Sequence, residues 1–462
     1  DNNAGGATRE GSVAVIDPAT GLVIKDIITG LHPNEIISDA KGRYIYVTNS
    51  NSDNVSVINT VTDRVTETIS VRLQPEINPY FGDSPNGLGL SPDQHTLYVA
   101  NGMDNALAVV ALGKKAARKS RLKNSTVTGF IPTGAYPSAI CITSTGMMYV
   151  GNIEGNGIHI GLKNPDGDNL IYNSHHMMAS VSVIPVPGKH DLKAYTDTVI
   201  AVNDLSRAVL AREEPRPDQK PKPVPDRKGE PSVFKHVLYI IKENRTYDQV
   251  LGDIPEGNGD PALCIFGERV TPNQHKLVRE FVLLDNTYCS GILSADGHQW
   301  STTAFGTDYL ERSFAGWPRS YPDGMGPDET DALAYAPSGF IWDNALRHGV
   351  SIWNFGEFMM PDCRWADPKR EGEPSWGDFW DEYIHGRGAV VVGSKPGIET
   401  IAPFSPTDTV GWNMDVPDVW RARYISRQIE AWDKDGRMPQ LVLICLPNNH
   451  TSGTSEGAPI PE

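Results

Sequence analysis

The 462-residue sequence predicts a multidomain β plus α/β chain, with a partial β-propeller leading into an α/β unit built on a mostly parallel sheet. Three observations predict it. A four-residue motif ending in asparagine recurs through the first 212 residues. A proline- and charge-rich stretch then interrupts the pattern. Beyond it, continuous apolar runs alternate with helical patterns, and several end in acid, amide or imidazole side chains.

The motif copies are Tyr46-Val-Thr-Asn49, Tyr98-Val-Ala-Asn101, Tyr149-Val-Gly-Asn152 and Ile200-Ala-Val-Asn203, with the asparagine advancing by 52, 51 and 51 residues. A Ser-Pro-Asp or Asp-Ala-Lys-Gly turn precedes a short strand. A polar turn then leads into an alternating strand such as Asn54-Val-Ser-Val-Ile58. Short strands under regular turn signals read as propeller blades of about four strands each. Ser12 to Ile16 reads as a strand of a blade already under way, so residues 1–212 are expected to hold about four blades of an incomplete array with natural sequence before Asp1. A four-bladed ring closed by residues 1–30 is the alternative. His175 and His176, adjacent in the last repeat, point to opposite faces if on a strand and read as a loop-exposed pair.

Residues 213–232 carry prolines and charges in place of apolar positions, which predicts an extended polyproline spacer between units. The α/β unit, 233–462, opens with Val237 to Ile241, a run that suits a strand covered on both faces. Phe281 to Leu284 reads as a second strand ending at Asp285-Asn286. Gln299 to Phe314 reads as a helix after a glycine-containing turn. Gly339 to His348 reads as a helix and Val350 to Phe355 as a third strand, with Glu357 just past it. Trp376 to Tyr383 reads as a packing or lid segment. Asp418 to Asp435 is a marked helix, with Pro417 before it and Gly436 after it. Gln440 to Leu446 is the last strand, ending at Asn449-His450. In a parallel sheet such tips share one edge, where open α/β sheets bind ligands.

Composition narrows the function classes. Lys plus Arg is 41 against Asp plus Glu 57, a net charge of −16. No basic run suggests a nucleic-acid stripe, and the acidic balance disfavours anionic membranes. The five cysteines are scattered without a Cys-x-x-Cys pair, which excludes a zinc ribbon or a disulfide-dense scaffold. Cys264 with Cys289 is a candidate bridge. No apolar stretch approaches the ~20 residues that span a bilayer.

Two resemblances add to this. The Tyr-Val-Thr-Asn form resembles the YVTN-type propeller repeat. Glu243-Asn-Arg-Thr-Tyr-Asp248 resembles the signature of the phosphoesterase family that holds bacterial phospholipases C and acid phosphatases, within the alkaline phosphatase superfamily. That resemblance implies an alkaline-phosphatase-like α/β sandwich in which Glu243 and Asn244 ligate a divalent metal ion. Leu284-Asp-Asn286 and Ser290 match the family's next segment, but its threonine nucleophile falls on Asp296. Ser294 as nucleophile, Asp296 as nucleophile or metal ligand, and an activated water all stay open. His298 is a phosphate donor or general acid. Pro447-Asn-Asn-His450 resembles the family's Pro-Asn-Asp-His form, with Asn449 in the acid's place, so Asn449 is an uncharged candidate ligand and His450 a candidate for holding the phosphoryl group. The later acidic pair and Asp-His are unmatched, so the chain resembles a two-domain enzyme cut at both ends, with an incomplete metal site.

The resemblance implies an exported phosphoesterase, secreted, periplasmic or on a bacterial-type cell surface. Its substrate is a phosphate ester and its cation zinc, manganese, calcium or iron. The propeller supplies a face for substrate, protein or surface partner. The alternative is a cell-surface binding or structural protein whose phosphoesterase domain is degenerate.

Overall fold

In a computed structural model the chain is described over residues 3–76, 81–117, 122–155, 178–204, 206–289, 291, 293–312 and 332–450. The amino-terminal region is a series of antiparallel sheets, as in a partial β-propeller. Strands β1 (Gly11–Ile16) and β2 (Val23–Thr29) form a pair. Strands β3 (Pro33–Ser38), β4 (Tyr44–Asn49), β5 (Asn54–Asn59) and β6 (Arg64–Ser70) make a four-stranded meander. Strands β7 (Pro85–Leu90), β8 (Thr96–Asn101), β9 (Ala106–Ala111) and β10 (Thr126–Pro132) repeat it. Strands β11 (Ala135–Ile142), β12 (Met147–Gly155) and β13 (Ser180–Pro185) follow as three.

The repeated asparagine has a structural cause. Asn49 and Asn101 end β4 and β8, Asn152 lies in the last part of β12, and all three are buried. Asn49 Nδ2 donates to Asn54 Oδ1 (2.8 Å) and Ser56 Oγ (2.9 Å), tying its strand to the next. Asn101 Nδ2 donates to Val71 O and Asp104 Oδ2, both at 2.8 Å. Asn152 Nδ2 reaches Ser180 Oγ and Ser182 Oγ at 3.1 and 3.0 Å. Apolar residues alternate inward from both four-stranded sheets, and Tyr46, Val55, Leu97 and Val110 meet in one core.

The fourth copy departs from expectation. Ile200 to Asn203 is not a strand end. It closes helix α1 (Lys189–Asn203), which is followed by α2 (Ser206–Arg212). Leu192, Thr196 and Val199 recur at helical spacing, and this face packs against β10. The N–H of Phe130 donates to Thr196 Oγ1 at 2.8 Å, and Val199 is buried in the core. The four-letter match hid a 3.6-residue period. His175 and His176 lie outside the described residues.

Residues 213–232 also differ from an extended spacer. They fold back on themselves, with Lys222 bridged to Ser232 and the Arg216 guanidinium bonded to Asp226 and Glu230 at 2.7 Å each. Opposite charges spaced 10 and 14 residues apart close the loop. All five cysteines are free, so the Cys264–Cys289 bridge does not form.

The carboxyl-terminal region centres on a three-stranded parallel sheet. It contains β14 (Val237–Lys242), α3 (Tyr247–Leu251), α4 (Pro272–Glu280), α5 (Ser294–Thr303), α6 (Asp308–Arg312) and α7 (Ile341–Arg347). These are followed by β15 (Ile352–Phe355), β16 (Met359–Pro361), β17 (Arg364–Trp365), α8 (Trp376–His385), β18 (Val390–Val391), β19 (Ser394–Pro396), α9 (Asp418–Asp435) and β20 (Leu441–Leu446). The sheet order is β14-β20-β15. Leu441 and Leu443 pack with Phe340, Trp342 and Ile352 on one face. Val442 and Ile444 pack with Ile425 and Trp432 of α9 on the other. The central strand is thus covered on both sides, which explains its unbroken apolar run.

The expected strand at Phe281 to Leu284 is absent. Phe281 caps α4, its N–H donating to Leu277 O at 2.9 Å, and is 74% exposed; the apolar residues after it pair with no strand among the described residues. Tyr239 and its neighbours on β14 therefore form an edge of the sheet.

Helix α6 joins the two regions. Tyr136 Oη donates to Asp308 Oδ1 at 2.8 Å, Asn34 Nδ2 bonds the same carboxyl, and Arg312 Nη1 donates to Asn34 Oδ1 at 2.8 Å. Burial pushes the Asp308 carboxyl up to about 7, although Arg312, Tyr136 and Asn34 pull the other way. Tyr136→Phe removes a donor from a buried acid. It is expected to destabilise the protein by about 1–3 kcal/mol, read as a lower urea midpoint; an unchanged midpoint would show that this hydroxyl contributes nothing.

Candidate functional site

The carboxyl edge of the parallel sheet brings three strand ends together. Backbone pairing runs past β14 and β20: the Glu243 N–H donates to Leu446 O at 3.0 Å and the Asn244 N–H to Asn449 O at 3.1 Å. This fixes Glu243 beside the end of β20. On the other side of β20, Asn354 of β15 shapes the next turn. Its Nδ2 donates to Glu357 O (2.8 Å), and its Oδ1 accepts the Glu357 N–H (3.2 Å). Gly356 takes a φ of 98° there, a conformation that favours glycine.

Helix α5 approaches this edge with its amino-terminal end. Ser294 and His298 are one turn apart and so share a face. His298 lies between the two acids, with Nδ1 2.7 Å from Glu357 Oε1 and Nε2 3.0 Å from Glu243 Oε2. Glu243 is 4% exposed and Glu357 1%. Both contacts are hydrogen bonds only if both ring nitrogens carry protons, which is the imidazolium form. Burial alone would lower the His298 pKa; the Glu357 charge and the bonds to both carboxylates outweigh it and raise it to about 10.

A cavity of about 290 Å³ opens beside this ring and is lined by Ser294, His298, Glu357, Trp412, Cys445 and His450 among others. Trp412 stands edge-on to both histidines, with ring centres 5.9 Å from His298 and 6.0 Å from His450. His450 Nε2 lies 3.9 Å from Glu243 Oε1.

The sequence-predicted residues separate into two groups. Ser294, His298 and His450 line this cavity, and Glu243 is bonded to His298 beside it. Asn244 follows Glu243 but is exposed where Glu243 is buried. Asp296 is buried and accepts the Leu293 N–H at 3.4 Å, which makes it part of the cap of α5 and places it outside the cavity lining. Asn449 is buried at the end of β20. Ser290 lies outside the described residues. Glu357 was legible as a strand-end acid, but its partnership with His298 was not. Trp412, isolated between Gly411 and Asn413, gave no signal.

The donor chemistry suits a hard cation. Glu243 Oε1, Glu357 Oε2 and Asn449 Oδ1 are buried without a hydrogen-bond partner among the described residues, and such oxygens need a partner. Two carboxylates and an amide with a nearby imidazole match oxygen-preferring divalent ions. The set is partial: among the described residues no group of three or more His, Cys, Asp or Glu side chains is arranged to hold a metal ion.

No protein-family model and no curated protein matches the chain. Among solved structures it is similar to the hydrazine synthase of Kuenenia stuttgartiensis, at 23% identity over 38% of this chain and 40% of that one, with a TM-score of 0.27. A 6-phosphogluconolactonase candidate of Bacteroides uniformis shares 18% identity over 38% of this chain and 50% of its own, with a TM-score of 0.27. A Desulfotomaculum acetoxidans protein of unknown function shares 14% over 35% and 48%, with a TM-score of 0.25. The chain spans half or less of the length of each. Similarities of this size leave the partial propeller resting on its own sheets and repeated asparagines.

The raised His298 pKa sets a sign for stability. A histidine whose folded pKa exceeds its unfolded value contributes stability that is fully present below about 6.5 and is lost as pH rises toward about 10. With chelator present, wild-type protein is expected to exceed His298→Ala in denaturation midpoint at pH 6, and the gap to narrow by pH 9.5. A gap that holds constant over this range would mean the ring is neutral in the folded protein.

Proposed function

We propose that the carboxyl-terminal region is a phosphoric ester hydrolase of alkaline-phosphatase-like frame. The observation that carries this reading is the convergence of Ser294, His298, Glu357 and His450 on one cavity at the carboxyl edge of a parallel sheet, with Glu243 bonded to His298 beside it. The amino-terminal end of α5 faces that cavity, and the positive end of its helix dipole suits a phosphoryl group there.

Ser294 is favoured as nucleophile over Asp296, because Ser294 lines the cavity while Asp296 caps the helix. Its Oγ would attack phosphorus as its proton passes to solvent water, the ester P–O bond would break, and the leaving oxygen would take a proton. His450, partly exposed at the cavity, is placed to give that proton. His298 is committed to two acids and serves as a fixed positive charge near the phosphoryl oxygens rather than as a base. Water would then release phosphate from Ser294. A divalent cation, whether zinc, manganese, calcium or iron, would be held by Glu243 and Asn449 and would supply Lewis-acid charge neutralisation. Asn244, with its side chain in solvent, is the weaker ligand candidate.

Export to the periplasm, the cell surface or the medium belongs to the same proposal. No helix among the described residues is long and apolar enough to cross a membrane. The propeller would then offer a face to substrate or to a protein partner. One observation favours the second reading, a surface binding protein with a degenerate catalytic unit: Asn449 supplies no charge where an acid would, and the ligand set is partial.

The test is hydrolysis of p-nitrophenyl phosphate and bis-p-nitrophenyl phosphate by the chain supplied with each metal in turn. Turnover is expected, with Ser294→Ala and Glu243→Gln each lowering kcat at least about a thousandfold. Turnover undiminished in both variants would remove the assigned roles, and no turnover from folded, metal-supplied protein would favour the binding reading.

A further inference from the structure

We infer that Arg421 is a positioning residue for the cavity at the sheet edge: it holds residues 411–416 so that Trp412 fixes the ring of His450, the proton donor of the proposed reaction. The geometry stands on its own, and only its kinetic consequence rests on the hydrolase reading. Arg421 lies near the start of α9 and is 3% exposed. Its Nη1 donates to Val416 O (2.6 Å) and to Asp418 Oδ1 (3.1 Å), and its Nη2 donates to Gly411 O and Asn413 O, both at 2.9 Å. One planar fork thus gathers three carbonyls of a single loop.

Two further contacts fasten this loop to the sheet edge. Asn448, just past β20, donates from Nδ2 to Met414 O at 3.0 Å and accepts the Asp418 N–H on Oδ1 at 2.7 Å. The Trp412 N–H donates to Met359 O at 3.0 Å. Glycine is required at 411 by the same close approach, because a Cβ there would lie 2.1 Å from Met359 O. Asp418 by itself would answer the Arg421 charge on its own helix. The three bonds to carbonyls are directed at the loop, and Trp412 carries that loop into the cavity lining.

The two histidines beside Trp412 depend on it unequally. His298 is bonded to Glu357 and Glu243 at 2.7 and 3.0 Å and keeps its place without the indole. The ring of His450 makes no hydrogen bond among the described residues. Its neighbours are Glu243 Oε1 at 3.9 Å and the Trp412 indole, with ring centres 6.0 Å apart and planes at 81°. A proton donor must lie within hydrogen-bond reach of the atom it serves, and a ring free to turn about its side-chain bonds is aligned for only part of the time. The indole packed across His450 removes that freedom, and Arg421 holds the indole there.

The experiment pairs an NMR reading of the His450 ring with kinetics. The full chain is labelled with isotope at histidine Cε1 and recorded at one pH with chelator present; His450→Gln identifies the resonance by its loss. Trp412→Ala is expected to shift that resonance by removing the indole ring current. Arg421→Lys, which cannot span three carbonyls from one nitrogen, and Gly411→Ala, which crowds Met359, are expected to shift it in the same direction. In metal-supplied protein these three variants are expected to lower kcat for phenyl phosphate about ten- to a hundredfold with KM within about twofold. Dinitrophenyl phosphate, whose leaving oxygen departs without a proton, is expected to be slowed far less. Trp412→Phe, which keeps a ring, is expected to recover part of the loss. A His450 resonance at its wild-type position in both Arg421→Lys and Gly411→Ala would overturn the proposal, as would an equal loss on the two esters. Absence of turnover in the wild type would remove the hydrolase reading and leave the resonance to decide the positioning.

Discussion

The imidazolium of His298 between two buried carboxylates is the interaction on which the rest of the candidate site depends. Removing a carboxylate from water costs several kcal/mol, and two near each other also repel. Glu243 and Glu357 follow strands on opposite sides of β20, so their closeness follows from the sheet order. A positive ring bonded to both allows them to share this interior. It also binds α5 to the sheet edge, which brings Ser294 to the same cavity. Two negative charges and one positive leave a net negative site with orphaned oxygens. Such a site attracts a cation and, without one, repels a phosphate dianion. The hydrolase reading therefore requires a cation on electrostatic grounds, independently of any resemblance.

The propeller-like region is not merely tethered to this unit. Helices α5 and α6 are nearly consecutive, and together they run from the cavity at Ser294 to the contact at Asp308. Trp300 of α5 donates from Nε1 to Glu311 of α6 at 3.1 Å, so the two helices are linked to each other as well. Burial, with the Glu154 carboxyl of β12 beside it, pushes Glu311 well above the usual range. Phe305, between the helices, approaches Gly82 at the start of the second four-stranded sheet. Substitutions on the propeller side of this contact therefore bear on the helix that carries Ser294 and His298, although none of them touches the cavity.

Much of this was legible in the sequence where local pattern and tertiary packing agree. Helix α9 falls where its proline, acids and glycine place it, and β14, β15 and β20 fall on their apolar runs. The pattern misled where one period imitated another. Ile200-Ala-Val-Asn203 has the letters of a strand end, yet Leu192, Thr196 and Val199 set a helical face that packs on β10. Phe281 to Leu284 has strand composition, but a strand also needs a neighbour, and none is beside it among the described residues. At the site, the type of each strand-end residue could be read, whereas the direction of its side chain could not. Glu243 and Asn244 are adjacent in sequence, yet one is buried and the other exposed. The bond from His298 to Glu357 joins residues 59 positions apart, and Trp412 between two histidines belongs to no pattern.

Asn449 is where the two functional readings meet most directly. A third carboxylate here would add negative charge to an interior that already needs His298 to hold two. The amide keeps an oxygen directed into a buried site without that charge, and its Oδ1 has no partner among the described residues. This lowers the attraction for a cation, yet it does not make the arrangement idle. A unit retained only as scaffold would be at least as stable with apolar side chains replacing a buried ion pair, since such replacements are often neutral or stabilising. Glu243, His298 and Glu357 instead impose a desolvation cost beside an open cavity, with unsatisfied oxygens close by. Stability alone gives no reason for that cost, and binding of a charged ligand does. The physical balance thus favours a working polar site over an inert one, and under the proposed reading Asn449 would tune the strength of a cation's hold.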